Sequence, residues 1–150
     1  MRKILIFIVL IPLIFTSCGP DLQHSKKGDA EEILRDVLSC FQITDGYVYS
    51  TRPLSEYPLS DALLARMFPE RGDTEDLFCV NSAAVYFSRR FCEHEMIVFE
   101  LFDISGRDKI VSLLQKRARK KENAVVLSDG VYVYLICTDQ NEEISRYLKP

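Results

Sequence analysis

The stretch NAVVLSDGVYVYLICTD, residues 123–139, contains the strongest fold signal in the chain. Asp129-Gly130 stands between two apolar runs rich in β-branched residues, which is typical of a β-hairpin with a tight turn. Residues 78–89 (FCVNSAAVYFSR) and 95–102 (EMIVFELF) have the composition of two more strands, and the short connection between them favours a second hairpin. The sequence therefore predicts a four-stranded, mainly antiparallel sheet made of two hairpins.

Three segments beside these hairpins show the apolar spacing of amphipathic helices. They cover residues 30–41, residues 106–121 and the chain that follows Asp139. A capping-box pattern precedes each of them: Asp29 with Glu32, Ser105 with Asp108, and Asp139 with Glu142. The predicted order is α-ββ-α-ββ-α, which is an α+β fold with about three packed helices.

The segment from residue 50 to residue 75 is predicted to be mostly loop. Three prolines interrupt it: Pro53, Pro58 and Pro69. A short helix fits residues 60–67, with Ser60 as its N-cap, and Tyr47–Tyr49 just before the segment is a short strand or an extended stretch. Loops of this length are uncommon in compact domains and often have a functional role.

The first 17 residues differ in composition from the rest of the chain. Arg2 and Lys3 precede an uncharged run from Ile4 to Ser17. A short basic start followed by an apolar run is typical of a secretory signal peptide. A membrane-spanning helix needs about 20 apolar residues, and Pro12 interrupts this shorter run. A signal peptide over residues 1–17 is therefore favoured over an uncleaved membrane anchor.

The run Ile14-Phe15-Thr16-Ser17-Cys18 resembles the lipobox of bacterial lipoprotein signal peptides. The resemblance implies cleavage before Cys18 and attachment of diacylglycerol to its thiol. Two acyl chains hold a protein stably on a membrane, so the predicted location is the outer face of the bacterial cell membrane. Gly19-Pro20 breaks any helix, and residues 18–28 are predicted to be a flexible tether to a single domain over residues 29–150.

Four features of the sequence point to one family when they are taken together. They are the lipobox, the run Glu122–Leu127, the strand Tyr132–Ile136 and the stretch EMIVFELFD at residues 95–103. Together they resemble a family of small Gram-positive bacterial lipoproteins that share a domain of unknown function. The resemblance extends over about residues 30 to 148. The family has no assigned activity, so the resemblance implies a lipoprotein with this α+β domain and brings no catalytic residue and no cofactor.

Cys92-Glu93-His94-Glu95 is the cluster with the most reactive residue types. An imidazolium beside a thiol stabilises the thiolate, so Cys92 and His94 are candidates for a thiol nucleophile with its base or for a metal site. Alternate residues of a strand share a face, which lets the two side chains point the same way. The cluster lacks the HExxH zinc pattern because residue 98 is Val. A polar hairpin turn is the alternative interpretation.

The chain has five cysteines, an odd number for an exported protein. Lipidation of Cys18 leaves four: Cys40, Cys79, Cys92 and Cys137. They can form disulfides, with Cys79 and Cys92 as the pair that the sequence favours most, or they can be four buried thiols that pack as small apolar side chains. Both alternatives stay open at this point.

A basic run, Lys116-Arg117-Ala118-Arg119-Lys120-Lys121, ends the second predicted helix. Positive charge at a helix C-terminus complements the helix dipole, and this alone can explain the run. The functional alternative is contact of Lys116, Arg117, Lys120 and Lys121 with an anionic membrane surface or wall polymer, since each cation near such a surface contributes on the order of 1 kcal/mol.

The function that the sequence favours is a lipid-anchored extracytoplasmic binding or accessory module. It would be attached to the membrane through diacylglyceryl Cys18 and act on a protein partner, such as an envelope or transport component. The net charge of −3 argues against a general nucleic-acid partner, and no cofactor is predicted. The alternatives are a small thiol- or metal-dependent enzyme that uses Cys92 and His94, and a small-ligand receptor.

Overall fold

The computed structural model of the chain describes residues 28–90 and 94–149. The predicted signal peptide, the lipidation site Cys18, most of the tether and Cys92 lie outside these residues. Five strands are described: β1 (Gly46–Ser50), β2 (Val80–Ser88), β3 (Glu95–Leu101), β4 (Val125–Asp129) and β5 (Tyr132–Cys137). The described α-helices are α1 (Ala30–Cys40), α2 (Asp61–Met67), α3 (Asp73–Asp76), α4 (Arg107–Ala118) and α5 (Asn141–Leu148). None of these helices has the length and apolar character that a membrane-spanning helix needs.

The strands form one antiparallel sheet in the order β1-β2-β3-β5-β4, so the predicted α+β class and both predicted hairpins are confirmed. β4 and β5 are joined by a tight turn in which Gly130 has a φ of 56°. Glycine adopts this left-handed backbone without steric cost. β3 pairs with both β2 and β5, and this pairing joins the two hairpins into one sheet.

The predicted counts of four strands and about three helices are wrong, because the described residues contain five of each. The additional strand is β1, which pairs with β2 at the edge of the sheet. Its Tyr49 ring packs against Phe87 with the ring centroids 5.8 Å apart. The short helix predicted over residues 60–67 is confirmed as α2, whereas α3 was not predicted and lies in the segment predicted to be mostly loop. A helix of four residues depends on tertiary contacts for its stability, so the local sequence signals α3 weakly.

The predicted N-caps of the first two helices are confirmed. Asp29 accepts a hydrogen bond from the backbone N–H of Glu32 at 2.9 Å, and Ser60 accepts one from that of Leu63 at 3.3 Å. Each side chain therefore satisfies one of the free N–H groups that begin a helix.

The capping boxes predicted at Ser105 and Asp139 are wrong. Asp103 accepts a hydrogen bond from the backbone N–H of Ser105 at 2.7 Å and begins a 3₁₀ turn that leads into α4. At the start of α5, Asn141 accepts a hydrogen bond from the backbone N–H of Thr138 at 2.8 Å. In both places a turn lies between the predicted cap and the helix, and neither α4 nor α5 has a side-chain hydrogen bond at its N-cap.

Helices cover both faces of the sheet, so the domain has three layers and two apolar cores. α1 and α5 pack on one face, against Val48, Ala84, Tyr86, Met96, Val98, Leu127, Tyr134 and Ile136. α2 and α4 pack on the other face, against Ala83, Val85, Ile97, Phe99, Val133 and Leu135. Successive strand residues point to opposite faces, and here both sets are apolar. The sheet therefore presents no open face to solvent.

The described residues begin at one end of the sheet. Ala30 donates its backbone N–H to Ser82 Oγ at 2.9 Å near the start of β2, and the Tyr132 hydroxyl donates to the Gly28 carbonyl at 3.0 Å at the start of β5. We call this the chain-start end. The opposite end, which we call the far end, contains the starts of β1 and β3 and the end of β5.

A buried ion cluster joins three elements near the far end. Glu95 is the first residue of β3, and its side chain is only 1% exposed. Arg117 binds the carboxylate through Nε and Nη2, and Lys121 Nζ lies 2.9 Å from it. Arg117 also donates from Nη1 to the Met67 carbonyl at 2.7 Å. The C-terminal end of α4 is therefore held against the central strand and the end of α2.

We expect Glu95→Gln to lower the free energy of unfolding by about 3–5 kcal/mol, because it removes a buried carboxylate that binds two largely buried cations. Urea denaturation followed by circular dichroism measures the change. Glu142→Gln is the matched control, because Glu142 binds Arg146 at 3.2 Å with both side chains mostly exposed. An exposed pair of this kind contributes about 0–1 kcal/mol. Similar losses of unfolding free energy in both variants would contradict the conclusion that the buried cluster around Glu95 stabilises the fold.

Candidate functional site

A shallow pocket of about 250 Å³ lies at the far end of the sheet. Its walls come from the segment after α1, the end of β2, the start of β3 and the loop between β5 and α5. The lining residues are Gln42, Ile43, Thr44, Asp45, Arg90, His94, Thr138, Asp139 and Gln140. Two carboxylates, one guanidinium and one imidazole are among them, so the pocket is polar and contains groups of both charge signs.

Asp45 is held in the wall of this pocket by two hydroxyl groups. The Tyr86 hydroxyl donates to Oδ1 at 2.7 Å, and Ser88 Oγ donates to Oδ2 at 3.0 Å. The hydrogen bond from Tyr86 is the main cause that lowers the pKa of Asp45 below its usual value, so this carboxylate is ionised at neutral pH. Burial, with the same hydrogen bond, raises the pKa of Tyr86 to about 12.

His94 and Asp139 face each other across the pocket, with Nε2 and Oδ1 3.3 Å apart. The contact connects the start of β3 to the loop after β5. The side chain of His94 is 20% exposed and that of Asp139 is 83% exposed, so a bound group can reach both. An imidazole oriented by a carboxylate is also the arrangement that activates a neighbouring nucleophile in many enzymes.

The loop that carries Asp139 is held by hydrogen bonds on both sides. Gln140 donates its backbone N–H to Thr138 Oγ1 at 3.1 Å, and its side-chain amide donates to the Phe41 carbonyl at 3.4 Å. Asn141 donates from Nδ2 to the Asn123 carbonyl at 2.5 Å. These contacts fix the loop to the end of α1 and to the segment before β4, and so they fix the position of Asp139 in the pocket wall.

The predicted Cys92 and His94 pair falls only partly within the described residues. His94 lines the pocket, whereas Cys92 lies outside the described part of the chain. Within residues 28–90 and 94–149 no group of three or more His, Cys, Asp and Glu side chains is placed to hold a metal ion. A thiol or metal role for Cys92 and His94 stays a prediction.

Sequence reasoning missed Asp45 and Asp139 as pocket residues. It assigned Asp45 to a turn and Asp139 to a helix cap. Both lie far from His94 in the sequence, and only the pairing of β1 with β2 and of β3 with β5 brings the three side chains to one end of the sheet. No local pattern signals this arrangement.

The four predicted surface cations are largely occupied by carboxylates of the domain itself. The ion pairs are Lys116 with Asp73 at 2.9 Å and Glu70 at 3.3 Å, and Arg117 and Lys121 with Glu95. Lys120 is exposed and has no ion pair among the described residues. The structure therefore explains most of the basic run by contacts within the fold, and its contact with an anionic surface stays a prediction.

Three cysteines lie within the described residues: Cys40 and Cys79 are free thiols, and Cys137 is buried. Because Cys79 is a free thiol, the disulfide alternative, in which Cys79 pairs with Cys92, is wrong. Burial raises the pKa of the partly buried Cys79 thiol. The interpretation of all four thiols as buried is wrong for Cys40, which is exposed.

The segment predicted to be mostly loop borders a second, more apolar depression of about 460 Å³. It lies between α2 and the 3₁₀ turn Leu77–Cys79, and Leu64, Ala65 and Phe78 are among its lining residues. Its lining contains no imidazole, thiol or guanidinium. Of the two pockets, only the far-end pocket therefore combines an imidazole and a guanidinium with carboxylates.

No protein-family model, curated protein or solved structure matches this chain. The resemblance to small Gram-positive lipoproteins stays a prediction from the sequence. A function has to be inferred from the residues themselves.

We expect Tyr86→Phe to lower the free energy of unfolding at neutral pH, because Asp45 loses its strongest hydrogen bond. Above pH 10, unfolded tyrosine ionises while folded Tyr86 keeps its proton until about pH 12, so stability falls as the pH rises through this window. This loss should be shallower in Tyr86→Phe.

Tyr134→Phe is the matched control for the measurement at neutral pH. It is not a control for the alkaline steps, because burial also raises the pKa of Tyr134. The Tyr134 hydroxyl is buried without a hydrogen-bond partner in the structure, so its removal should leave stability at neutral pH unchanged or raise it. Chemical denaturation at pH 7 and at steps from pH 9 to 12 measures both variants. A larger loss at pH 7 in Tyr134→Phe than in Tyr86→Phe would contradict the assigned hydrogen bond.

Proposed function

We propose that this chain is a lipid-anchored binding module on the outer face of a bacterial cell membrane. Diacylglyceryl Cys18 is the anchor, and the far-end pocket contacts a protein partner of the cell envelope, such as a transport component. One observation carries the proposal: the polar pocket lies at the end of the sheet opposite to the chain-start end, where the described residues begin at Gly28.

The distances are compatible with this arrangement. Ten residues, 19–28, follow Cys18 up to the first described residue, and a chain of this length spans at most about 36 Å. The seven residues of β3 add about 24 Å between the two ends of the sheet. A domain attached through its chain-start end therefore presents the pocket on the side away from the bilayer, where other envelope proteins can reach it.

The form of the pocket favours a protein partner over a small ligand. Small-molecule sites are usually enclosed cavities of about 300–1,000 Å³ with mainly apolar walls. The far-end pocket is smaller than this, shallow and lined by groups of both charge signs. Polar groups of this kind are typical of the rim of a protein interface, where they add specificity.

A photo-crosslinking amino acid at Gln140, on the rim of the pocket, tests the proposal in cells that make the full-length chain. We expect a crosslink to one membrane-associated protein, and we expect Arg90→Glu to weaken it because the substitution reverses a charge on the pocket wall. The readout is the yield of the crosslinked product in the membrane fraction, identified by mass spectrometry.

Ser112, exposed on α4, is the matched control position for the crosslinker. It lies on the outer layer of the domain and does not line the pocket. A crosslink of equal yield from both positions, or no reproducible product from Gln140, would count against the pocket as the partner site.

A second candidate function is a thiol-dependent enzyme, and the contact between His94 and Asp139 favours it. Cys92 would be the nucleophile, His94 its base and Asp139 the group that orients the base. The structure does not describe Cys92, so the geometry of this set rests on His94 and Asp139 alone.

Alkylation of the full-length protein with iodoacetamide at pH 7 tests the enzyme alternative. An activated Cys92 should react faster than Cys40, the exposed free thiol, because the thiolate is the reactive form. Asp139→Asn should slow the reaction of Cys92 and leave that of Cys40 unchanged. Equal rates at the two thiols, measured by mass spectrometry, would remove this candidate.

A further inference from the structure

Four large apolar side chains are exposed among the described residues: Leu54, Phe78, Phe102 and Ile104, with exposures of 104%, 83%, 68% and 55%. Single exposed apolar residues are common and need no explanation. The informative feature is their position, because all four lie at the chain-start end of the sheet. None lies at the far end, which carries the polar pocket.

Two contacts of Cys79 place the chain segments that carry three of these side chains next to each other. Phe102 follows the end of β3 and donates its backbone N–H to the Cys79 carbonyl at 3.0 Å, directly after Phe78. Ile104 opens the next 3₁₀ turn, whose Gly106 carbonyl lies 3.9 Å from Cys79 Sγ. The two 3₁₀ turns are therefore adjacent, and their apolar residues are exposed at the same end.

Leu54 reaches this end through the loop after β1. Arg52 donates from Nη2 to Glu32 at 3.0 Å and lies 3.5 Å from Asp29, which ties the loop to the first turn of α1. Leu54 has a φ of 64°. This left-handed backbone costs a branched residue free energy, and the fold maintains it with the leucine side chain fully exposed. Strained positions of this kind are frequent at functional surfaces.

We propose that the chain-start end of the domain rests on the lipid bilayer, with these four apolar side chains inserted at the membrane interface. The proposal rests on the lipid anchor of the proposed function. The segment before Gly28 joins the domain at this same end, and only nine residues lie between Cys18 and Gly28. Apolar side chains held that close to a bilayer by an anchor enter the boundary between headgroups and acyl chains.

The charges beside the apolar side chains indicate which lipids suit this contact. Asp103 and Asp108 are exposed next to Phe102 and Ile104, together with Lys109. The surface therefore has no excess of positive charge to attract anionic lipid, so the apolar side chains supply the attraction. Contact should form on zwitterionic phosphatidylcholine and should not require phosphatidylglycerol.

The proposed orientation also determines which side of the domain faces outward. α4 runs from the chain-start end to the far end, so the basic run at its C-terminus lies beside Glu95 on the side away from the bilayer. Contact of that run with the same membrane and contact of the apolar end are therefore mutually exclusive. One experiment can distinguish them.

The chain has no tryptophan, so one introduced tryptophan reports on one position. Full-length Phe102→Trp, processed in a bacterial host, is reconstituted into phosphatidylcholine vesicles with brominated acyl chains, which quench tryptophan on contact. Glu122→Trp is the matched control, because Glu122 is exposed beside the basic run and leaves its four cations intact. Phe78→Trp is a second reporter for the apolar end.

We expect a loss of fluorescence for the tryptophans at positions 102 and 78 and none at position 122, relative to vesicles without bromine. Quenching at 122, or at none of the positions, in protein that sediments with the vesicles would overturn the bilayer contact and leave the anchor intact. The apolar end would then be left for a protein partner. Protein that does not sediment and has an unmodified Cys18 by mass spectrometry would remove both the anchor and this contact.

Discussion

The buried carboxylate of Glu95 determines how three elements of this domain are placed. A carboxylate in the central strand of a sheet that is covered on both faces has to be neutralised, since an unpaired buried charge is too costly. Arg117 and Lys121 supply the cations from the end of α4, and Arg117 also binds the Met67 carbonyl at the end of α2. The position of both helices on that face therefore depends on one acidic side chain.

The direction of α4 has a consequence for the whole molecule. The helix begins at the chain-start end and brings its cations to the far end, where they bind Glu95 and Asp73. The chain-start end is left with exposed apolar side chains, and the far end has the polar pocket. The two ends thus differ in chemistry, and the proposed contact with a bilayer depends on this difference.

The candidate site could be predicted only in part. His94 was identified because an imidazole beside a thiol is a reactive combination in any context. Asp45 and Asp139 were not identified, because their proximity to His94 depends on strand pairs that no local pattern specifies. The basic run shows the opposite case. Its charges are conspicuous in the sequence, yet Arg117 and Lys121 are drawn to Glu95 because the carboxylate is buried.

The sequence alone determined the two hairpins, the three longest helices and the caps at Asp29 and Ser60, because hydrophobic periodicity and capping are local properties. It also placed a short helix over residues 60–67, which is α2. It left β1 open between a strand and an extended stretch and did not signal α3, because elements this short are stabilised by the elements they pack against. Only the tertiary structure decided which carboxylates meet which cations, which thiols stay free, and which end of the sheet is apolar. These features depend on contacts between residues far apart in the chain, and such contacts exist only once the sheet has assembled.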